Sequence, residues 1–354
     1  MLTIFPDFRE EGWHSMDLCA DMLVKYAPAG VHLRFELPSY RKVFGYLPWR
    51  KTQNFDRWYN RWRVYPKHVQ KLAGQSGFFH IVDHSYAHLA NYLPEGRVGV
   101  FCHDLDAFRC LLTPDQEPRP DWFKKMMSSV FEGLKKARIV FCSTKVTQQS
   151  LLSLGYWDSK SIYVVPYGTA EEFQPEGSRE AGDYILHVGS CIPRKRIDVL
   201  LRAFVEVCKK ANDSNLKLIQ AGGNFSSEQR KQIQDLGLVS RVEQRQNLTR
   251  EDLARLYRGT KCLVITSDAE GFGLPVIEGL SCGARIVASD IPALREVGGN
   301  DVDFFPSGDF NTCAQLILNM LERQESYTGT DCLRWSWSKH ANSIFSVYET
   351  LTKI

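Results

Sequence analysis

The sequence predicts an α/β protein built from two doubly wound domains. Three observations carry this expectation: the 354-residue length, two successive series of strand-length apolar runs alternating with amphipathic helical stretches, and the glycine or polar residues on which those runs end. A chain of this size exceeds what a single core supports, so two units of roughly 150 to 180 residues are expected. We place them at residues 1–174 and 175–336, with a closing helix at 337–354. In parallel sheets of this kind ligands bind outside the carboxyl ends of the strands, so the residues that end each run are the candidate site residues.

Composition narrows the class. Apolar residues make up 44% and charged residues 24% of the chain, and the net charge is +3, as in an ordinary globular protein and too little to imply a nucleic-acid partner. Ten cysteines occur without a CxxC pair, mostly inside apolar runs, the pattern of reduced thiols in a cytoplasmic protein. No signal peptide and no apolar run near 18 residues is present, so neither secretion nor membrane spanning is expected.

In the first half, strands are expected at 2–5, 78–84, 99–104, 139–142 and 162–166, with helices at 15–25, 87–93 and 122–136. Residues 40–71 break this rhythm, with nine Lys or Arg against one acid, Asp56, and many aromatic residues between them. Trp58 and Trp62, four apart, would share a helix face beside Arg57 and Arg61. Basic charge with tryptophan suits an anionic membrane surface; tryptophans packed inward under solvated arginines, or stacking on single-stranded nucleic acid, are the alternatives. His80, His84 and His88 straddle a strand end and share no face, so no metal site is expected of them. Asp104 and Asp106 form a D-x-D pair that could hold a divalent cation against a diphosphate.

An acidic, proline- and glycine-containing linker at 171–182 leads into the second half. Strands are expected at 184–189, 216–220, 242–248, 261–266 and 285–288, and helices at 196–209, 250–257, 275–282, 312–324 and 338–352. Arg194 and Lys195 lie between a strand end and a helix start. There the planar guanidinium can grip diphosphate oxygens and the lysine adds a mobile charge. The central stretch is Glu270 to Glu278, where glycines 271 and 273 allow close approach of a ligand and Pro275 opens a helix. The amides of Phe272, Gly273 and Leu274 then form an anion site at a helix N-terminus. Glu270 could reach the sugar end of a nucleotide-sugar, and Glu278 could accept bonds from a ribose diol.

This stretch resembles the E-x7-E signature of the family-4 retaining glycosyltransferases, which have the GT-B fold of two Rossmann-like domains facing a cleft. The resemblance runs along nearly the whole chain, strongest over 184–296 and weakest over 30–75. It implies a last helix returning to the first domain, His103 bonding the donor sugar, and Arg194, Lys195 and Glu270 as the remaining catalytic residues. It also implies donor contacts from Gly12, Gly189, Ser190, Gly222, Asn247, Phe272, Gly273, Leu274 and Glu278. Departures occur at Glu11, where a second glycine is usual, at Ser190, where arginine is common, and at Tyr167.

The function so implied is metal-independent transfer of a hexosyl group from a UDP- or GDP-linked sugar to a saccharide or lipid-linked acceptor, in polysaccharide biosynthesis. No cofactor is expected, and the place is the cytoplasm, with the cytoplasmic membrane face as a candidate surface. Two alternatives stay open: a non-enzymatic nucleotide-sugar-binding subunit, and a metal-dependent glycosyltransferase using Asp104 and Asp106.

Overall fold

The computed structural model describes residues 1–43, 50–211, 215–322 and 334–352. Phe44, Tyr46 and Trp49 of the basic aromatic stretch, Cys332 and the expected end of the helix at 324 lie outside them. The chain divides into two compact units, Met1–Tyr167 with Trp337–Ile354, and Gly168–Ser336.

The first unit contains β1 (Leu2–Phe5), α1 (His14–Lys25), β2 (Leu33–Phe35), α2 (Arg50–Tyr59), α3 (Tyr65–Leu72), β3 (Phe78–Ile81), β4 (Val98–Cys102), α4 (Arg109–Leu112), α5 (Asp121–Lys135), β5 (Ile139–Cys142), α6 (Lys145–Ser153) and β6 (Ile162–Val164). The second contains β7 (Tyr184–Gly189), α7 (Ile197–Lys210), β8 (Lys217–Gly222), α8 (Ser227–Asp235), β9 (Val242–Arg245), α9 (Arg250–Gly259), β10 (Cys262–Ile265), α10 (Leu274–Ser281), β11 (Ile286–Ser289), α11 (Pro292–Gly298), β12 (Val302–Phe305) and α12 (Phe310–Glu322). Helix α13 (Trp337–Thr352) belongs to the first unit.

Each unit holds one six-stranded parallel sheet, ordered β2-β1-β3-β4-β5-β6 and β12-β11-β10-β7-β8-β9. Strands covered on both faces read as unbroken apolar runs, and β1, β4, β5, β10 and β11 are buried at every residue. Helix α5 turns Met127, Val130, Phe131 and Leu134 inward. Its Gly133 touches the 3₁₀ segment His84–Tyr92, where a Cβ would fall 2.0 Å from the Ala87 carbonyl oxygen. Capping boxes start α8 (Ser226, Gln229) and α9 (Thr249, Asp252), satisfying amides that helix geometry leaves unpaired.

Several expectations change. The first sheet gains the edge strand β2, whose residues are largely exposed and carry no apolar run. The strand expected at 78–84 stops at Ile81, because Asp83 accepts the Ser85 amide and caps the 3₁₀ segment. Helices α4, α6, α8 and α11 and strand β12 have no counterpart among the expected elements. The boundary falls after Tyr167 rather than at 174, since Thr169 already bonds the Trp335 carbonyl and Phe173 packs edge-on against Tyr257 in the second unit.

The tryptophans of the basic stretch part company. Trp58 is 42% exposed, whereas Trp62 stacks on His88 with ring centroids 4.1 Å apart. Between α2 and α3 a π-helical segment runs over Asn60–Val64. Asn60 is fully buried there and bonds the Arg41 and Asp56 carbonyls and the Arg41 amide. No described helix is long and apolar enough to cross a membrane.

Candidate active site

In the second unit the strand order reverses at β7 and β10, since β7 continues toward β8 and β10 toward β11. A crevice outside the carboxyl ends of two such strands is where open α/β sheets bind ligands. The loops leaving these strands carry Arg194, Lys195 and Glu270.

The loops are tied together by their backbones. The Asp268 amide donates to the Arg194 carbonyl at 2.8 Å, and the Thr266 hydroxyl to the Lys195 carbonyl at 2.8 Å. Arg196 takes a left-handed φ of 48°, unusual for a side-chain-bearing residue. Its guanidinium grips both oxygens of Asp198 at 3.0 Å and Asp268 at 3.1 Å, which holds the turn.

This frame gathers one carboxylate and two cations. Lys195 Nζ donates to Glu270 Oε1 at 2.5 Å, the Ser267 hydroxyl to the same oxygen at 2.7 Å, and Arg194 to Glu270 Oε2 at 3.1 Å and the Ala269 carbonyl at 2.7 Å. Burial alone would raise the Glu270 pKa, but Lys195 and Arg194 outweigh it and hold the pKa below the ordinary carboxylate value. The carboxylate is therefore ionised between two positive groups. Arg194 remains about a third exposed, so its guanidinium can also meet a ligand.

Glycines clear the floor. Gly189 (φ 140°) and Gly222 (φ 114°) stand paired at the ends of β7 and β8. A Cβ on Gly222 would sit 2.9 Å from the Gly189 oxygen, and one on Gly223 would sit 2.7 Å from the Ser190 Cα and the Cys191 nitrogen. Gln220 donates to the Gly189 carbonyl at 2.8 Å and pairs with His187 behind it. Ser190 is exposed, and Asn247 sits in an exposed turn before α9 with φ 53°.

Gly273, at φ 100°, caps α10, and Pro275 lies in the helix's first turn. Phe272 is buried with its ring edge-on to Trp335, so only its backbone can serve a ligand. A turn further, Glu278 is buried with Oε2 accepting from the Tyr257 hydroxyl at 2.9 Å. Burial raises its pKa to about 7, against the opposing pull of Tyr257 and Arg250. Ser267 and Tyr257 escaped the sequence reading. Ser267 follows a strand end, a signal that could have found it, whereas nothing local links Tyr257 to a residue 21 positions away.

The first unit has its own strand-end cluster, where its order reverses at β1 and β3. His103, just past β4, is buried; its Nε2 donates to the Val82 carbonyl at 2.9 Å and its Nδ1 pairs with the Tyr167 hydroxyl. Burial drops its pKa to about 4, so the ring is neutral and both nitrogens are engaged. Asp83 is held below its ordinary value: burial opposes the charge, but His84, His103 and Ser85 prevail. Asp7, beside it, is pushed well up by burial and by the Asp83 charge.

Glu11, the residue in place of a family glycine, is buried and faces Arg61 at 3.5 Å and Arg57 at 3.8 Å. Arg61 also lies over the Tyr86 ring, so this cation is not a solvated one. Gly12 is exposed, closing the turn at φ 73°. Asp104 accepts the Asp106 amide at 3.0 Å and caps its own turn. His80 pairs with Tyr348 and His88 with the Arg61 carbonyl, each at 2.9 Å.

Comparison with known proteins gives this geometry a context. The family model for glycosyl transferases group 1 matches residues 168–330, within the second unit. O-antigen chain mannosyltransferase B of Escherichia coli is 27% identical over 247 residues, covering 65% of this chain and 63% of its own. The chain thus spans less than two thirds of that relative's length. Sucrose-phosphate synthase from Thermosynechococcus elongatus superposes over 99% of this chain and 98% of its own with a TM-score of 0.74 at 16% identity. Anabaena HepE in complex with UDP and glucose covers 100% and 99% with a TM-score of 0.70 at 15% identity. The fold is accordingly GT-B, and the second unit is similar to the glycosyl transferases group 1, whose model it matches over residues 168–330.

Proposed function

We propose that this chain is a family-4-type retaining glycosyltransferase that moves a hexosyl group from a nucleoside-diphosphate sugar to a saccharide or lipid-linked saccharide, without a metal ion. The observation that carries the reading is the Glu270 carboxylate bonded by both Lys195 and Arg194 where the second sheet reverses its order. A mannosyltransferase of O-antigen chains among the relatives supports a hexosyl donor and a place in polysaccharide biosynthesis.

As the donor's glycosidic bond lengthens, negative charge grows on the departing diphosphate. Arg194 and Lys195, with the backbone at Phe272, Gly273 and Leu274, stabilise it; preorganised donors of this kind usually supply the largest single catalytic contribution. Glu270 shares its lysine with the diphosphate and turns its oxygens to the sugar hydroxyls, while Glu278 takes the ribose. His103, assigned to the sugar by resemblance, keeps one tautomer because Val82 requires a donor on Nε2, and its ring meets the sugar only where Tyr167 gives up Nδ1. Retention without a covalent intermediate needs the acceptor hydroxyl to attack on the leaving-group face, assisted by a diphosphate oxygen as base. The cytoplasm supplies such donors. Exposed Phe55 and Trp58, with ring centroids 5.7 Å apart, support contact with the membrane that presents a lipid-linked acceptor.

A thermal-shift screen of UDP-, GDP- and ADP-sugars tests the donor class, because a specific ligand raises the melting temperature by mass action. Transfer or slow hydrolysis of the stabilising donor should persist in EDTA. Loss of turnover on chelation overturns metal independence, and tight binding with no turnover for any acceptor turns the reading to a binding subunit. Absence of salt-sensitive sedimentation with anionic vesicles removes the membrane contact.

A further inference from the structure

We infer that Tyr257 is a positioning residue of the donor site, holding one oxygen of Glu278 so that the other is presented to the two ribose hydroxyls of a nucleoside diphosphate. The inference rests on the donor reading above and extends it to a residue outside the loops that touch the ligand.

Three features of the packing support it. Tyr257 is completely buried on α9, and its hydroxyl donates to Glu278 Oε2 on α10 at 2.9 Å. A buried phenol needs such a partner, and a carboxylate is the stronger choice. The ring is braced by Phe173, edge-on at 5.8 Å, so its direction is set by packing. Gly279 seats α10 directly on the sheet, since a Cβ there would lie 2.7 Å from the Leu263 side chain of β10, and the Tyr257 ring would then stand at ordinary contact distance, 3.7 Å. Glu278 therefore has a fixed direction before any ligand arrives.

A vicinal diol offers two donors, and a carboxylate accepts both only when it is ionised and correctly turned. Tyr257 satisfies Oε2 from behind and favours the ionised form, which burial otherwise resists. The charged groups around the site give it little other help. From α9, Arg250 also favours ionisation; Cys282 lies near Tyr257; on α11, Arg295 is held by Asp290. Strand β11 brings no titratable side chain.

The test compares binding of UDP, GDP and ADP with that of their 2′-deoxy counterparts by calorimetry, across pH 5.5 to 8.5, in the full chain. The wild-type protein should prefer the ribose form about 10-fold or more, with affinity rising with pH as Glu278 ionises. Glu278→Gln should erase both the preference and the pH dependence. Tyr257→Phe should reduce the preference several-fold and move the pH midpoint upward, since an ionisation-favouring donor is gone. If Tyr257→Phe fails to fold, Phe173→Leu, which loosens the brace, should give the same two changes to a smaller degree. Unchanged preference and midpoint in the tyrosine variant, with Glu278→Gln still deficient, overturns the inference and leaves the proposed function standing. No effect in Glu278→Gln, or no binding of any of the three diphosphates, sinks the donor reading itself.

Discussion

At the scale of residues, the second unit carries two carboxylates in opposite electrostatic settings, on which the proposed function depends. Glu270 sits between Lys195 and Arg194 and stays ionised; Glu278 is bonded by a phenol and, among the described residues, by no cation, and is pushed to about 7. Lys195→Ala and Glu270→Ala should each lower transfer by 10² or more. Breaking the buried pair also strands a charge, at a cost of about 3 kcal/mol, moderated here because Arg194 and Ser267 remain. In a double-mutant cycle read by urea unfolding, the double variant should therefore lose less stability than the two single losses added together; simple additivity would argue against a coupled pair. For Glu278 the sign follows from linkage. The unfolded carboxyl ionises near 4.5, the folded one near 7, so between these values the folded state binds the extra proton and stability falls as pH rises. The fall should total on the order of 3 kcal/mol and vanish in Glu278→Gln, as followed by melting temperature against pH.

At the scale of elements, the site is made by loops that leave strands and by the glycines that let them touch. Residues Gly222 and Gly223 turn away from β8 against the loop that follows β7. Gly223→Ala puts a methyl group against backbone at 2.7 Å, and backbone cannot give way as a flexible side chain can. It should displace Ser190–Lys195 and weaken diphosphate binding at least 10-fold with only a modest drop in melting temperature. A cap removed from α9, Thr249→Ala, should do the converse: about 1 kcal/mol of stability lost and binding unchanged. Measuring both quantities for both variants separates site geometry from general stability. Equal effects on binding would show that the glycine turn has no special place.

At the scale of the whole molecule, each unit closes its own sheet, and the first does so only with the last helix of the chain. Trp337, Ala341, Ile344, Phe345 and Tyr348 of α13 are all buried. The Tyr348 hydroxyl reaches His80 Nδ1 at 2.9 Å, and His340 Nδ1 donates to the Pro166 carbonyl at 2.9 Å. Gly99 of β4 leaves the space for this helix, because a Cβ there would lie 2.0 Å from the Tyr348 oxygen. Tyr348→Phe should cost about 1 to 3 kcal/mol by leaving His80 unpaired. Deleting residues 337–354 should abolish cooperative unfolding of the first unit in calorimetry while the second still melts. A first unit that melts unchanged would contradict the packing.

Much of this was determined by the order of residues alone. Parallel sheets announce themselves as apolar runs, their ends as glycines and charges, and the Glu270–Glu278 loop carries its proline, glycines and carboxylates within nine positions. Those signals are local, so they survive without a fold. What only tertiary structure decided are the partners brought from afar: Tyr257 to Glu278, α13 to β3 and β4, and Arg57 and Arg61 to Glu11. Glu11 shows why. Read along the chain it is a departure from a glycine pattern, yet burial makes an isolated carboxylate costly, and the fold answers with cations some fifty positions away. Pairings of that kind are set by where strands and helices come to lie, which no window of sequence contains.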